Sequence, residues 1–239
     1  MEIGIIGFGN FGKFMAKHLK TKAEVFVFDI LDREKEAKAL GISLVSFDEA
    51  VSKGIVIICV PMQDFESVLD KMKDKLRPGS LVLDVCSLKM FSCRLMEKVL
   101  PRTVDIIGTH PLFGPQSAPS SLTSMRIALT PIRGLRIEKV KLFCESLGLE
   151  VFITTPEEHD KQMALSQALT HFIGQAMTNA GIKRIDLSTK TFDNLMDIVE
   201  IIRNDTPALF NDMQKLNPFA KDARENFLLE LNKIQDNLK

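Results

Sequence analysis

The chain has 239 residues, of which 45% are hydrophobic and 26% are charged, which is ordinary for a globular protein with a substantial core. Lys and Arg total 31 and Asp and Glu also total 31, so the formal net charge is zero and argues against nucleic acid or an anionic membrane as the main partner. The longest apolar runs have the length of a strand rather than of a membrane span, and the start of the chain lacks the basic residues of a signal peptide. Four cysteines without a CxxC pair indicate reduced thiols, as expected of a cytoplasmic protein.

Short apolar runs alternate with segments of helical spacing through the first 155 residues. The predicted strands are 2–6, 24–28, 55–59, 80–84, 104–108, 126–130 and 150–154. The predicted helices between them are 11–20, 32–40, 63–76, 89–99 and 135–147. Strands that are apolar on both faces and separated by helices predict an α/β fold of the Rossmann type, with a doubly wound, mostly parallel sheet covered on both sides.

The pattern changes near Pro156. From Glu157 onward we predict no strand, and helical spacing runs through 157–182, 189–204, 206–216 and 220–238. We therefore expect a boundary near residue 155, between an α/β domain over 1–155 and an all-helical domain over 156–239. The first of these helices contains "MALSQALTHFIGQAM", which is apolar nearly all round, so we expect it to be buried against a partner in a homodimer.

A glycine loop joins the first predicted strand to the first predicted helix. Its glycines have the spacing G-x-G-x-x-G: the first allows a tight turn, the second lets a diphosphate approach the backbone, and the third lets helix and strand pack closely. The helix N-terminus behind the loop supplies free N–H groups for phosphates. The predicted cofactor-binding residues of this loop are Gly7, Phe8, Gly9, Asn10, Phe11 and Gly12.

Asp29 ends the second predicted strand, 22 residues after Gly7. A carboxylate there accepts hydrogen bonds from the ribose hydroxyls of the adenosine and repels a 2′-phosphate, so we expect NAD rather than NADP. Arg33 follows closely along the chain and leaves NADP as the alternative.

Two further loops follow predicted strands. Val60 and Pro61 follow 55–59, and Ser87 follows 80–84. Ligands of a doubly wound sheet bind at the carboxyl ends of its strands, so we expect these residues on the nicotinamide side of the cofactor. Ser87 also suits the N-cap of the helix that follows, and from residue type alone both roles stay open.

The stretch "IGTHPLFGPQSAP", residues 107–119, holds one of the four histidines of the chain. It follows the predicted strand 104–108, which places His110 at the same sheet edge as Ser87. A histidine at this edge can act as a base near neutral pH, and a purely structural histidine is an equal alternative from spacing alone.

The motifs GFGNFG, CVP, DVCSLK, GTHPLFGP and EEHDKQMALSQALTH occur in this order, and the chain continues to DTPALFNDMQKLNP. In this combination the chain resembles the prephenate/arogenate dehydrogenases of tyrosine biosynthesis, in particular their compact archaeal and plant-type members. The resemblance implies a dinucleotide-binding domain followed by a helical dimerisation domain. It also implies the reaction: NAD takes a hydride from the carbinol carbon of a cyclohexadienol, and the ring carboxylate leaves as carbon dioxide, which makes the ring aromatic.

The same resemblance assigns roles to individual residues. His110 corresponds to the histidine that accepts the hydrogen bond of the substrate hydroxyl, and Ser87 to the serine near the same group and the nicotinamide. His171 corresponds to a substrate-binding histidine, and Gln167 lies one helical turn before it. From the residues alone, Gln167 and His171 also fit a hydrogen-bonded pair in a core.

Members of the family usually carry an arginine for a substrate carboxylate at a position that is Ile201 here. Arg203 is two residues away, which is about 200° of rotation on a helix. We retain Arg126 and Arg203 as candidate substrate-binding residues, with Arg184 as a further cation. Prephenate and arogenate stay open as substrates.

Other functions remain as alternatives. A β-hydroxyacid-type dehydrogenase or reductase would need a lysine as acid or base in the helical domain, for which Lys161 and Lys183 are available. A non-catalytic NAD-binding protein is favoured only by Ile201. His159 and Asp160 are adjacent, but two ligands do not make a metal site, and we expect none.

Overall fold

The computed structural model describes residues 1–115, 117–118, 121–203 and 205–239. These residues form two units: unit 1 is Met1–Pro156 and unit 2 is Glu157–Lys239. Unit 1 contains the sheet, and unit 2 contains helices.

The strands of one mostly parallel sheet form the body of unit 1. In chain order they are β1 (Glu2–Ile6), β2 (Glu24–Phe28), β3 (Ser43–Leu44), β4 (Ile55–Ile58), β5 (Leu81–Asp84), β6 (Asp105–Pro111), β7 (Arg126–Arg133) and β8 (Glu150–Ile153). Across the sheet their order is β3-β2-β1-β4-β5-β6-β7-β8, and β6 and β7 are the antiparallel neighbours. The predicted doubly wound, mostly parallel sheet is confirmed.

Helices cover both faces of this sheet. They are α1 (Asn10–Leu19), α2 (Glu34–Leu40), α3 (Phe47–Val51), α4 (Met62–Met72), α5 (Lys89–Val99) and α6 (Ile137–Ser146). Because side chains alternate along a strand, two apolar cores form on opposite sides of the sheet. The first face, which includes Ile3 and Leu83, packs against α1, α2 and α6, and the second face, which includes Ile58 and Ile106, packs against α3, α4 and α5.

Strand β6 continues beyond its predicted end. We expected a strand over 104–108 and then a loop, but His110 lies within β6, opposite Ala128 of β7. The antiparallel partner supplies ladder hydrogen bonds that a single-strand pattern does not reveal. The expected loop at His110 is therefore wrong, although His110 is near the carboxyl end of its strand.

Two short elements were not predicted: strand β3 and helix α3. Two and five residues are too few for an apolar period to be recognised. Helix α3 is nonetheless well defined, because the Ser46 hydroxyl accepts a hydrogen bond from the Glu49 N–H at 3.2 Å and caps it.

The helices of unit 2 are α7 (Pro156–Met163), α8 (Thr170–Asn179), α9 (Lys190–Arg203), α10 (Pro207–Leu216) and α11 (Ala220–Asn237). A π-helical segment, Ala164–Leu169, joins α7 to α8, so the predicted helix 157–182 is not a single regular α-helix. The last residue of the predicted helix 189–204 lies outside the described residues. Within the described ranges, no helix combines the length and apolar character needed to cross a membrane.

Candidate active site

The predicted cofactor and catalytic residues of unit 1 meet at one edge of the sheet. Strands β2, β1, β4, β5 and β6 are neighbours in this order and run parallel, so their carboxyl ends lie side by side. In the same order, these ends carry Asp29, the glycine loop, Val60 with Pro61, Ser87 and His110.

The three glycines of the loop have different surroundings. A Cβ on Gly7, whose φ is +100°, would lie 2.4 Å from the Cys59 carbonyl oxygen, and a Cβ on Gly12 would lie 2.1 Å from the Gly7 carbonyl oxygen. A Cβ on Gly9 would meet no atom within 4 Å. Gly7 and Gly12 are therefore required by the close packing of the turn, whereas Gly9 borders open space at which a ligand can approach the backbone.

The N-terminus of α1 faces this space. Gly9 is its N-cap, no side chain caps it, and its first turn carries no acidic residue. The first N–H groups of a helix have no partner within the helix and carry partial positive charge. These residues fit the diphosphate of a dinucleotide.

Asp29 holds the glycine loop in place. Its Oδ2 accepts the Phe8 N–H at 2.6 Å, and its Oδ1 accepts the Leu31 N–H at 2.9 Å. Each carboxylate oxygen has a further lone pair for a ribose hydroxyl. Arg33, the cation nearest along the chain, pairs with Glu36 at 3.1 Å.

A buried ion pair lies where β5 ends. Asp84 and Lys89 are both fully buried, and Lys89 Nζ donates to Asp84 Oδ2 at 2.5 Å and to the Thr109 carbonyl oxygen at 2.6 Å. Asp84 also accepts the Cys86 N–H at 3.0 Å and the Thr109 N–H at 3.1 Å. Burial alone would lower the pKa of Lys89, but the charge of Asp84 and its hydrogen bond act in the opposite direction, and the pKa is raised. The lysine is therefore charged.

This pair connects the Ser87 loop to the His110 strand. Ser87 lies between Cys86 and Lys89, and His110 follows Thr109, so both candidate catalytic residues adjoin groups that bind Asp84. The N-cap of α5 is Leu88 and no side chain caps the helix, so Ser87 does not have the capping role.

His110 is on the second face of the sheet. A Cβ on Gly108, two residues earlier, would lie 2.4 Å from Cys93 Sγ of α5, and residues two apart on a strand share a face. His110 is 4% exposed. Ser87, two residues before the start of α5, and His110 both lie at the carboxyl edge of the sheet.

The buried thiols near this edge are not nucleophiles. Burial, reinforced by the charge of Asp84, raises the pKa of the Cys86 thiol well above its usual value. Burial also raises the pKa of Cys93 to about 11. Both groups are protonated near neutral pH, and a thiol reacts through its thiolate.

In unit 2, the π-helical segment carries Gln167, and His171 follows it in α8. His171 Nδ1 is buried 3.5 Å from Asp205 Oδ2 without the geometry of a hydrogen bond. Burial lowers the pKa of His171 and raises the pKa of Asp205, in each case against the effect of the partner. Both shifts disfavour the charged forms, so His171 is a neutral hydrogen-bonding group near pH 7.

The candidate cations already have partners. In unit 1, the exposed Arg126 forms an ion pair with Glu150 at 3.4 Å. In unit 2, Arg203 Nε donates to Thr178 Oγ1 at 3.2 Å and its Nη2 donates to the Ile182 carbonyl at 3.0 Å. Arg203 therefore packs on the end of α8, the helix of His171.

Arg184, the further cation, binds the carboxylates of Asp197 and Glu200 on α9, the latter at 2.6 Å. Ile201, the position at which the resemblance leads us to expect an arginine, is about half exposed on the same helix.

His159 and Asp160 form a buried structural pair, with Nδ1 and Oδ1 2.7 Å apart. The Asn217 side chain donates to the Asp160 carbonyl at 2.9 Å, which ties α7 to the link between α10 and α11. Across the described part of the chain, no three His, Cys, Asp or Glu side chains group closely enough to hold a metal ion.

Two residues at these positions were missed in the sequence analysis. Lys89 had a detectable signal, because it is the first residue of a helix and follows the strand-ending Asp84 by five residues. Asp205 had none, because it is 34 residues from His171 along the chain and only folding brings the two together.

The fold and this edge define a dinucleotide-binding domain of the Rossmann class. The family described as "Prephenate dehydrogenase, nucleotide-binding domain" matches residues 15–153, more than half of the chain, and the chain belongs to the prephenate dehydrogenase family. A second family, described as "TYRAAT1-like, C-terminal domain", matches residues 176–239.

Relatives that are named as arogenate or prephenate dehydrogenases align with the whole chain. The probable arogenate/prephenate dehydrogenase of Methanocaldococcus jannaschii is 32% identical over 100% of the chain and 57% of its own length. Arogenate dehydrogenases 1 and 2 of Arabidopsis thaliana are each 29% identical over 100% of the chain. The chain spans 39% and 70% of their respective lengths.

Solved structures share the fold. Prephenate dehydrogenase from A. aeolicus, in complex with hydroxyphenyl propionate and NAD+, has a TM-score of 0.80 at 23% identity and covers 100% of this chain and 90% of its own. Synechocystis arogenate dehydrogenase has a TM-score of 0.75 at 19% identity and covers 100% of this chain and 92% of its own. The predicted fold class, a Rossmann-type domain followed by helices, is confirmed.

Proposed function

We propose that the protein is an NAD-dependent dehydrogenase that oxidises and decarboxylates prephenate or arogenate. The observation that carries the proposal is the Asp84–Lys89 pair, which holds the Ser87 loop and the His110 strand at one edge beside the glycine loop. Membership of the prephenate dehydrogenase family and the names of the relatives supply the substrate class.

In this proposal, bound NAD supplies the hydride acceptor. His110 accepts the hydrogen bond, and then the proton, of the ring hydroxyl while the ring carboxylate leaves as carbon dioxide. The Ser87 hydroxyl is a hydrogen-bonding group close to both the ring hydroxyl and the nicotinamide. Aromatisation of the ring drives the reaction, so the protein contributes mainly orientation and a proton acceptor.

We also propose substrate-binding roles for residues of unit 2. His171, neutral because burial lowers its pKa, and Gln167 provide uncharged hydrogen bonds to the substrate. Arg203, on the end of the same helix as His171, is favoured over Arg126 as the cation for a substrate carboxylate, because Arg126 is bound to Glu150.

The cofactor preference rests on the second strand. Asp29 has lone pairs free for the ribose hydroxyls, and its charge opposes a 2′-phosphate. Arg33 is engaged by Glu36, which weakens the case for NADP. Val60 and Pro61 line the nicotinamide side in this proposal.

We also propose that the protein is a cytoplasmic homodimer joined through unit 2. All four cysteines carry free thiols, as is usual in the cytoplasm. Several large apolar side chains of unit 2 are exposed, among them Leu165, Leu195, Ile198, Leu228 and Leu231. Light scattering at micromolar concentration tests the dimer: twice the chain mass supports it, and the mass of one chain contradicts it.

The activity is tested by following NADH or NADPH formation with prephenate and arogenate in parallel, each with NAD and with NADP. We expect turnover of at least one substrate, with NAD preferred. Absence of turnover with both, while NAD still binds in calorimetry, would contradict the proposed substrate class. A β-hydroxyacid-type reaction is less well supported, because Lys161 is exposed and paired with Glu157 at 2.8 Å.

A further inference from the structure

The topology of unit 1 leaves the middle of the first face thinly covered. Helix α1 packs on β1 and β2, and α6 packs on β7 and β8. Strands β4 and β5 lie between these two pairs in the sheet, and the helices that follow them, α4 and α5, are on the second face. The first face of β4 and β5 therefore lies under the gap between α1 and α6.

A cavity of about 330 Å³ occupies this gap. Its floor includes Ile3, Ile57 and Leu83 of the sheet, and its walls include Phe14 of α1 and Val140 of α6. Voids between close-packed side chains are much smaller, and this volume falls at the lower end of the range for small-molecule sites. Thr109 and Pro111 of β6 also line the cavity, but neither the glycine loop nor Ser87 nor His110 does.

The cavity is apolar with basic groups at its border. Arg136, Lys139 and His18 line it, and no carboxylate of the described residues does. Arg136 is already bound to Asp105 at 3.0 Å. Lys139 is exposed and has no ion-pair partner in the described part of the chain, so it is available to an anion.

His18 leaves a buried polar atom unsatisfied. Its Nε2 is buried and has no hydrogen-bond partner among the described residues. Such an atom is costly in a folded protein and calls for a partner. Phe14 packs edge-on against the imidazole, with ring centroids 4.8 Å apart. Burial and the neighbouring Lys17 lower the pKa of His18, so the ring is neutral near pH 7 and Nε2 is one hydrogen-bonding group.

We propose that this cavity binds a small amphipathic carboxylate, with its apolar chain or ring between α1 and α6 and its carboxylate at the basic border. The apolar floor and walls reject a ligand that is polar throughout. Lys139 favours an anion over a neutral molecule of the same shape. The site is independent of the dehydrogenase activity proposed above.

Calorimetry with decanoate, below its micelle concentration, tests this site on the full chain, with decanol as the uncharged comparison. We expect saturable binding of one decanoate per chain and weaker binding of decanol. Lys139→Gln should weaken decanoate binding about two- to fivefold, the range for an exposed charge pair. The same substitution should leave the affinity for decanol unchanged. Lys141→Gln is the matched control, because Lys141 is on α6 beside Glu145 and does not line the cavity.

Val140→Trp should fill the cavity and weaken decanoate binding about tenfold or more. Leu142→Trp, at an exposed position on α6 outside the cavity, should leave the affinity unchanged. Should Val140→Trp not fold, methionine-methyl NMR of the unaltered protein gives the answer, because Met15 lines the cavity and its signal should shift with decanoate. Met15→Leu assigns that signal.

Three results would overturn the proposal: no saturable binding of decanoate, a Met15 signal that does not move at saturation, or equal effects of Lys139→Gln and Lys141→Gln on decanoate affinity. Loss of dehydrogenase activity does not enter the test, so this proposal and the proposed function fail or hold separately.

Discussion

Lys89 carries its charge in a fully buried position, where Asp84 and the Thr109 carbonyl are its partners. Removing one member of a buried ion pair leaves the other charge uncompensated. We expect Lys89→Met to lower the free energy of unfolding by about 3–5 kcal/mol, measured by urea denaturation.

Lys98→Met is the matched control for this substitution. Lys98 is an exposed residue of the same helix, 3.9 Å from Glu66, and its replacement should change the free energy of unfolding by less than about 0.5 kcal/mol. Equal effects of the two substitutions would show that the buried pair has no special role.

Single residues at the sheet edge could be predicted from the sequence, but their partners could not. The position of Asp29 after β2 followed from strand pattern and spacing, whereas its hydrogen bond to the Phe8 N–H depends on the folded turn. Likewise, nothing near His171 in the sequence pointed to Asp205. Side-chain partners distant along the chain are determined by tertiary packing, which a local pattern does not contain.

Within the glycine loop, Gly7 is required for close packing, whereas Gly9 is expected to border the bound cofactor. Gly9→Ala adds a methyl group to open space at a φ of −70°, so the free energy of unfolding should fall by no more than about 1 kcal/mol while the dissociation constant for NAD rises. Denaturation and calorimetry measure the two effects. Unchanged NAD affinity in Gly9→Ala would contradict the assignment of this loop.

Gly7→Ala is the comparison for that variant. It forces a Cβ to 2.4 Å from the Cys59 carbonyl oxygen at a φ of +100°, and it should destabilise the protein by more than about 1 kcal/mol.

The π-helical segment Ala164–Leu169 holds one residue more than a regular helix needs, and such segments are frequent at functional sites. Deleting Leu165, which is exposed, should restore α-helical hydrogen bonding and preserve the folded state while displacing Gln167. We expect normal circular dichroism with reduced turnover of the cyclohexadienol substrate. Full turnover would exclude a role for the segment in the site.

Deleting Leu195 from the regular helix α9 is the control for the Leu165 deletion. It rotates the residues that follow by about 100° and misplaces the buried Met196 and Val199, so it should destabilise the protein.

Elements were predictable where an apolar pattern ran for a full strand or several helical turns. Strands β1 and β2 match their predicted limits, whereas the two-residue β3 is too short for any period. The antiparallel pairing of β6 and β7 had an unused signal, because the sequence has no helical spacing between these two strands and parallel neighbours need a crossover.

For the whole molecule, stability should depend on pH through His171. Burial lowers its pKa in the folded chain, so below about pH 6.5 the unfolded chain binds more protons at this residue and the stability that it contributes is lost as the pH falls. Asp205, whose pKa burial raises, contributes with the opposite sign. Between about pH 7.5 and 5.5, denaturation should show a smaller loss of stability for His171→Gln than for the unaltered chain. An equal loss of stability with falling pH in the two proteins would contradict the buried, neutral state of His171.

The two-part organisation could be predicted because the apolar pattern changes its period near Pro156, from strands separated by helices to helices alone. The sequence pattern does not predict the cavity on the first face of unit 1. That cavity follows from how far α1 and α6 are apart across the sheet, which is a property of the assembled fold.

We propose that the carboxyl edge of unit 1 is a dehydrogenase site with His110 as its proton acceptor. The most direct test is the turnover number of His110→Asn, measured beside its dissociation constant for NAD. We expect turnover to fall about 10²–10⁴-fold, the usual contribution of a general base, and NAD affinity to be unchanged because the glycine loop is intact. Unchanged turnover would contradict the claim and remove His110 from the mechanism.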